Sequence, residues 1–432
     1  MKTPIIISNE KIELKTGSPK FSKDDTKIAF LSTTRPNVQT DYLHFEIYNI
    51  LTNKINIIPS SIVNVNPLEF IWINDRKIYF TSEYNGVQKI SVLNITNINN
   101  PSYTQLCLND PFTSYMLPVY ALKSNSIPLI LKSAYNQPET INYLNNDEDE
   151  ILNLNMNFTE KYELTYHKRI KMSNEYLGWI FKPINFKENK TYPLVLIIHG
   201  GPHDSHISTW SHFHNPQIYT NMGFSVLLLN IHGSSGVSEN FQDSVRDNWG
   251  GTPYDDIITG INYAINNFNY IDKNNICVIG FDYGGFMINW MEGQKKNKNF
   301  TFKCFINNGG IFNTLNMFYS TDVTWFVKGE YCNRNNIKCN PFDDDETRKN
   351  IYKYSPEKYV KNWDIPMLVI HGGNDYRISL SESLSTFTAL KLNNISSKFI
   401  YFNLENKSIK NPSNIIKWYD EVLNWLKKYT NN

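Results

Sequence analysis

Asn275-Ile276-Cys277-Val278-Ile279-Gly280-Phe281-Asp282-Tyr283-Gly284-Gly285-Phe286-Met287-Ile288-Asn289-Trp290 is the stretch on which the fold turns. A short apolar run rich in β-branched residues, 276–279, meets a Gly-x-x-x-Gly-Gly turn. Helical spacing then resumes through Phe286, Met287 and Trp290. The pattern predicts a strand, a tight turn and a helix. Small residues around such a turn let the backbone reverse sharply and lift the central side chain above the end of the sheet. Here that central residue is Asp282.

Outward from this stretch, apolar runs at 194–198, 224–229, 302–306, 367–370 and 398–402 alternate with segments of helical spacing at 254–268, 287 onward, 380–392 and 415–429. Near-continuous apolar strands alternating with amphipathic helices predict a mostly parallel sheet covered on both faces, an α/β fold of doubly wound type. The functional loops of such a sheet lie at the carboxyl ends of its strands. Three candidates fall there. His199-Gly200-Gly201-Pro202 has glycines that would let backbone N–H groups approach a developing oxyanion, with Gly201 as one donor. The turn at Asp282 supplies the second donor, the N–H of Tyr283. Gly372-Gly373-Asn374-Asp375-Tyr376-Arg377 places Asp375 where an acid that orients a histidine would stand.

Elbow, acid and then an expected histidine is the chain order of the α/β-hydrolases. The segment resembles the catalytic domain of the prolyl oligopeptidase family of serine peptidases, nearest its dipeptidyl-peptidase V and acylaminoacyl-peptidase branch. The matching stretches are His199 to Pro202, Asn248-Trp249-Gly250-Gly251-Thr252-Pro253-Tyr254-Asp255-Asp256, Gly280 to Gly285, Phe312-Asn313-Thr314-Leu315-Asn316-Met317, Tyr319-Ser320-Thr321 and Asp375-Tyr376-Arg377. The resemblance implies a β-propeller ahead of an α/β-hydrolase domain, and removal of short peptides or blocked residues from the N-termini of small substrates. It implies no cofactor.

Two of the three triad positions implied by the resemblance are altered. The family's nucleophilic serine falls at Asp282, and its histidine falls at Lys407, in the loop Phe402-Asn403-Leu404-Glu405-Asn406-Lys407-Ser408. No histidine follows His371 in the sequence. A lysine of ordinary pKa, about 10.4, is protonated at neutral pH and accepts no proton. An aspartyl ester would have to be hydrolysed by an activated water, for which the usual base is missing. The expectation is therefore a pseudoenzyme in which Asp282, Lys407 and Asp375 form an ion-paired cluster. The alternative is an active hydrolase that uses Asp282 covalently or draws a base from elsewhere.

Ahead of this part, residues 1–164 carry a repeated pattern at a spacing of about fifty, within the range of propeller blades. Ser18-Pro19-Lys20-Phe21-Ser22-Lys23-Asp24-Asp25 leads into Lys27-Ile28-Ala29-Phe30, and Phe70-Ile71-Trp72-Ile73-Asn74-Asp75 leads into Lys77-Ile78-Tyr79-Phe80. A fainter third puts residues 127–130 ahead of 142–144. These read as hairpins of blades. A closed propeller takes four to eight blades, so a partial, propeller-like all-β region is expected at 1–164, followed by the hydrolase domain at 165–432. The acidic run at 145–150 reads as a solvated turn rather than a cation site.

The totals restrict the remaining choices. With 42 basic and 41 acidic residues, the net charge of +1 gives no reason to expect nucleic acid or an anionic membrane. No stretch approaches the roughly 18 apolar residues of a membrane span, and the start of the chain turns polar too quickly for a signal peptide. A cytoplasmic location and a peptide substrate or ligand are the expectations, with the oligomeric state open. The five cysteines, Cys107, Cys277, Cys304, Cys332 and Cys339, read as free thiols, with a loop closed by Cys332 and Cys339 as the alternative. His203, His206, His212 and His214 lie close in sequence without the spacing of zinc ligands. His199 reads as structural, and Ser234 and Ser235 as a turn. Trp210, Phe213, Trp249 and Trp325 are candidates for either a cleft lining or the core.

Overall fold

Alternation of apolar and polar residues in the first third of the chain produces three separate four-stranded antiparallel sheets. The structure is a computed structural model and describes all residues except 1–15, 36–37, 107–109, 118–127, 146–148, 173–174, 295–298, 333–343 and 431–432. The first sheet comprises β1 (Thr16–Phe21), β2 (Lys27–Ser32), β3 (His44–Asn49) and β4 (Lys54–Ile57). The second holds β5 (Pro67–Asn74), β6 (Lys77–Tyr84), β7 (Val87–Asn94) and β8 (Ser102–Gln105). The third holds β9 (Ser114–Met116), β10 (Leu129–Ala134), β11 (Gln137–Tyr143) and β12 (Glu150–Leu152). Each sheet is a meander of neighbours in sequence.

The β6–β7 hairpin turns on Asn85-Gly86, both at positive φ (49° and 78°). That is the sequence such two-residue turns favour, because their twist matches that of the flanking strands. Ala29, Leu31, Phe45 and Ile47 of the first sheet pack with Phe70, Trp72, Ile78 and Phe80 of the second. The Trp72 indole N–H donates to the Lys20 carbonyl at 2.9 Å. A smaller core of Ile71, Ile90, Tyr115 and Ile130 joins the second sheet to the third. These are the blade-like hairpins that the repeated pattern predicts. Ile127 and residues 146–148 of the acidic run at 145–150 lie outside the described residues.

The chain divides into two compact units, one of Met1–Glu163 with Ile207–Trp210 and Ser235–Glu239, the other of Leu164–His206, Ser211–Ser234 and Asn240–Asn432. The second unit is built on an eight-stranded sheet. Its strands are β13 (His167–Met172), β14 (Glu175–Phe181), β15 (Tyr192–Ile198), β16 (Ser225–Leu229), β17 (Ile271–Phe281), β18 (Phe302–Asn308), β19 (Met367–Gly372) and β20 (Ser397–Phe402). Their order is β13-β14-β16-β15-β17-β18-β19-β20. The strands from β16 to β20 in this order run parallel, and β13 and β14 are added antiparallel at one edge.

Burial explains the sequence texture. Every residue of β15, β16 and β19 is buried, which is why these strands read as unbroken apolar runs. The helices Thr252–Asn267, Tyr283–Glu292, Leu380–Leu392 and Pro412–Thr430 follow the predicted spacing. The core runs from Leu194, Leu196 and Val278 to Phe286, Met287, Phe305 and Val369. The fold is an α/β-hydrolase preceded by a propeller-like all-β region. No described helix is long and apolar enough to cross a membrane.

Candidate active site

The turn after β17 is tight because its glycines have no room for a side chain. A Cβ on Gly280 would lie 2.1 Å from the Gly284 carbonyl oxygen, and one on Gly284 would lie 2.3 Å from that of Ile198. Asp282 sits at the tip with φ 56° and ψ −112°, as the residue before the helix Tyr283–Glu292. Positive φ is uncommon for any residue with a Cβ and is one of the strained conformations concentrated at functional turns. Backbone bonds hold it there. Asp282 N–H donates to the Asn308 carbonyl at 3.0 Å, and its own carbonyl accepts from Phe286 N–H at 2.9 Å.

The Asp282 carboxylate makes no capping bond to the helix it precedes. It turns instead to Lys407, whose Nζ forms a close ion pair with Oδ2. Gly201 N–H also donates to Oδ2, at 3.5 Å. A Cβ on Gly200 would lie only 3.2 Å from the same carboxylate oxygen, so the loop that starts at His199 lies directly against it. The side chain of Asp282 is 9% exposed and that of Lys407 39%. Burial raises the Asp282 carboxyl above its ordinary pKa even against the ammonium beside it. Burial works against the Lys407 charge, but the Asp282 carboxylate outweighs it and holds the ammonium above its ordinary value. A lysine held protonated in this way is a poor proton acceptor. Tyr283, the expected second oxyanion donor, opens the helix, where backbone N–H groups have no intrahelical acceptor.

Asp375 follows β19. Its Oδ1 accepts from the N–H groups of Arg377 (2.9 Å) and Ile378 (3.0 Å). Burial raises its pKa, and the nearby Asp282 charge adds to the rise. No ion pair joins Asp375 to Lys407 among the described residues. The expected three-membered cluster is thus a Lys407–Asp282 pair with Asp375 as an electrostatic neighbour. Arg377, beside it, pairs with Asp322 at 2.7 Å.

The Lys407 loop is anchored by a residue that sequence reasoning passed over. Glu405 accepts from Lys410 N–H (2.8 Å), Asn411 N–H (3.2 Å) and Asn414 Nδ2 (2.6 Å), pinning the loop to the start of the final helix. Its backbone carbonyl accepts from Asn374 N–H at 2.7 Å, which links the Lys407 loop to the Asp375 loop. The only sequence signal was a carboxylate placed shortly before a helix start, where it can hold unpaired amides.

The histidines take structural roles. His199 shares hydrogen bonds with its neighbour's carbonyl, Gly200 O at 2.7 Å, and with Ser234 Oγ at 2.8 Å. Ser234 N–H donates to the Ile231 carbonyl, closing the expected turn. His206 Nε2 lies 3.0 Å from the Ile197 carbonyl oxygen, and burial lowers its pKa to about 3. His203 pairs with Glu330 at 2.7 Å, and the other Glu330 oxygen accepts from the Trp249 indole at 2.8 Å. This buried network was invisible in the sequence, since 127 residues separate His203 from Glu330. His214 packs against Phe213, Phe281 and Trp418. No group of three or more metal-ligating side chains occurs among the described residues. Trp249 is core, whereas Trp325 is 44% exposed.

Cys277 and Cys304 are buried thiols, as expected. Cys332 departs from the expectation of free thiols, because it is disulfide-bonded. Cys107 and Cys339 lie outside the described residues.

A strained turn above a parallel sheet, a glycine loop against its tip and an acid on a later loop are the parts of an α/β-hydrolase site. The model of the prolyl oligopeptidase family matches residues 209–432, and the chain belongs to that family. Dipeptidyl-peptidase 5 of Schizosaccharomyces pombe is 31% identical over 425 residues, which cover 96% of this chain and 59% of the relative. Dipeptidyl-peptidase 5 of Aspergillus oryzae is 29% identical over 426 residues, 96% of this chain and 56% of the relative. The chain therefore spans a little under three fifths of the length of these relatives. Among solved structures, Pyrococcus horikoshii acylaminoacyl peptidase superposes with a TM-score of 0.80 at 23% identity, covering 97% of this chain and 64% of that one.

Proposed function

We propose that this chain is a prolyl oligopeptidase family protein that has lost the peptidase relay and keeps a peptide-binding or association role. The observation that carries the reading is the Lys407 ammonium seated on the carboxylate at the elbow tip. Attack on a peptide carbonyl requires a nucleophile whose lone pair is free and a neighbour able to take up a proton. Asp282 Oδ2 is engaged by Lys407 and approached by Gly201 N–H, so the carboxylate itself fills the region where a substrate oxyanion would seek that donor. Relatives named as dipeptidyl peptidases support peptides as the ligand class.

The compartment follows from thiol chemistry in the same reading. A cytoplasmic location sits poorly with the disulfide at Cys332, because cytosolic glutathione keeps thiols reduced. An oxidising compartment is the better fit.

A covalent aspartyl mechanism has a direct test. Incubation with dipeptide amides in heavy-oxygen water, followed by mass spectrometry of the peptide that contains Asp282, is expected to show no label in its carboxylate. Label that accumulates with turnover would establish an ester intermediate and replace this proposal.

A further inference from the structure

Cys277 on β17 and Cys304 on β18 are register partners in adjacent parallel strands, and the ladder shifts register immediately before them, between Ile276 and Cys277. Both side chains are wholly buried. Their sulfurs are 2.8 Å apart. Nonbonded heavy atoms ordinarily approach to about 3.5–4.0 Å, and bonded sulfurs to about 2.05 Å. The two free thiols share a hydrogen bond, with either sulfur as donor, that holds them closer than van der Waals packing would. On the other flank of β17, Cys277 is level with Val195 of β15, which offers no polar partner.

We propose that Cys277 and Cys304 form a cross-strand disulfide when the chain folds under oxidising conditions, a modification site in the middle of the sheet just before the elbow. Cys332, elsewhere in the same unit, is disulfide-bonded. With a glutathione disulfide as oxidant, the thiolate of one cysteine attacks a glutathione sulfur and releases one glutathione thiolate. The second cysteine thiolate then attacks the protein sulfur of the mixed disulfide and releases the other glutathione. Two cysteine thiols lose two protons and two electrons, and one glutathione disulfide becomes two glutathione thiols. Burial raises the Cys304 thiol well above its ordinary pKa and shields both sulfurs, so the exchange precedes closure of the sheet. The bond would tie the elbow strand to β18, which carries the Asn308 carbonyl that holds Asp282 N–H. This inference is independent of whether the site retains activity.

The experiment is refolding of the reduced, denatured chain in two buffers, one with oxidised and reduced glutathione and one with reductant alone. Free thiols are then alkylated in denaturant, and the unreduced digest is mapped by mass spectrometry. The expected result is a linked peptide pair containing Cys277 and Cys304, neither alkylated, in the glutathione sample only. Cys304→Ala should lower the unfolding temperature relative to the unsubstituted chain in that sample and change it less in reductant. Full alkylation of both cysteines in the glutathione sample, with Cys332 linked, would overturn the proposal. The mapping decides the matter on the unsubstituted chain even if Cys304→Ala fails to fold.

Discussion

Replacing Asp282→Ser and Lys407→His together is expected to produce dipeptidyl- or acylaminoacyl-peptidase turnover at least about 10³-fold above either single variant. The elbow conformation is held by Asn308 and Phe286, and the loop of Gly200 and Gly201 lies against the tip. A serine at 282 would inherit the same strained, raised position. A histidine at 407 would stand where the ammonium now meets Asp282, on a loop fixed by Glu405. Asp375 uses Oδ1 for two backbone amides and feels the charge at 407, so its Oδ2 is the oxygen expected to orient an imidazole placed there.

Neither single change suffices. A serine beside a lysine that stays protonated gains no base, and a histidine beside Asp282 gains no hydroxyl. Initial rates on dipeptide and acylaminoacyl reporter substrates decide the matter. A double variant no faster than the singles would show that the cleft has changed in more than these two positions.

The largest expected loss of stability lies away from the tip. Glu330 is 1% exposed and accepts from His203 and from the Trp249 indole. Burial opposes a charge on His203, but the Glu330 carboxylate beside it prevails and raises its pKa. Glu330→Ala leaves the buried His203 ring nitrogen and a buried indole N–H without their partner. Each buried group left unsatisfied costs about 1–3 kcal/mol, so about 2–6 kcal/mol is expected for the two. Glu330→Gln keeps an acceptor and loses the charge, so a smaller cost is expected, about 1–3 kcal/mol. Urea unfolding of the three chains measures both values. A Glu330→Ala unfolding free energy within about 1 kcal/mol of the parent's would mean that the network is solvated or dispensable.

Much of the second unit was legible because its sheet is buried on both faces. Apolar runs such as those of β15 and β19 have one reading only, and 380–392 coincides with the helix Leu380–Leu392. β13 and β14 went unread. They form an antiparallel pair at the sheet edge, where Lys168, Arg169 and Lys171 interrupt any apolar run. The helices Thr314–Ser320 and Thr324–Tyr331 are short, and short helices carry too few turns for periodicity to register.

At the site, the residue types at 282, 375 and 407 were plain, and the structure brings 282 and 407 together. What the sequence could not supply was partner choice across long separations. Asp375 prefers its own loop amides to Lys407, and Glu405 divides its bonds between two loops. Such preferences are set by which groups meet in three dimensions, which spacing along a chain does not encode.

An ammonium paired to the elbow acid is expected to leave no working relay, and hydrolysis by the unsubstituted protein is the measurement that decides it. Rates on a panel of dipeptidyl and acylaminoacyl reporter substrates, measured beside the Asp282→Ala variant, are expected to be equal and indistinguishable from buffer. Turnover by the unsubstituted chain that disappears in Asp282→Ala would contradict the account.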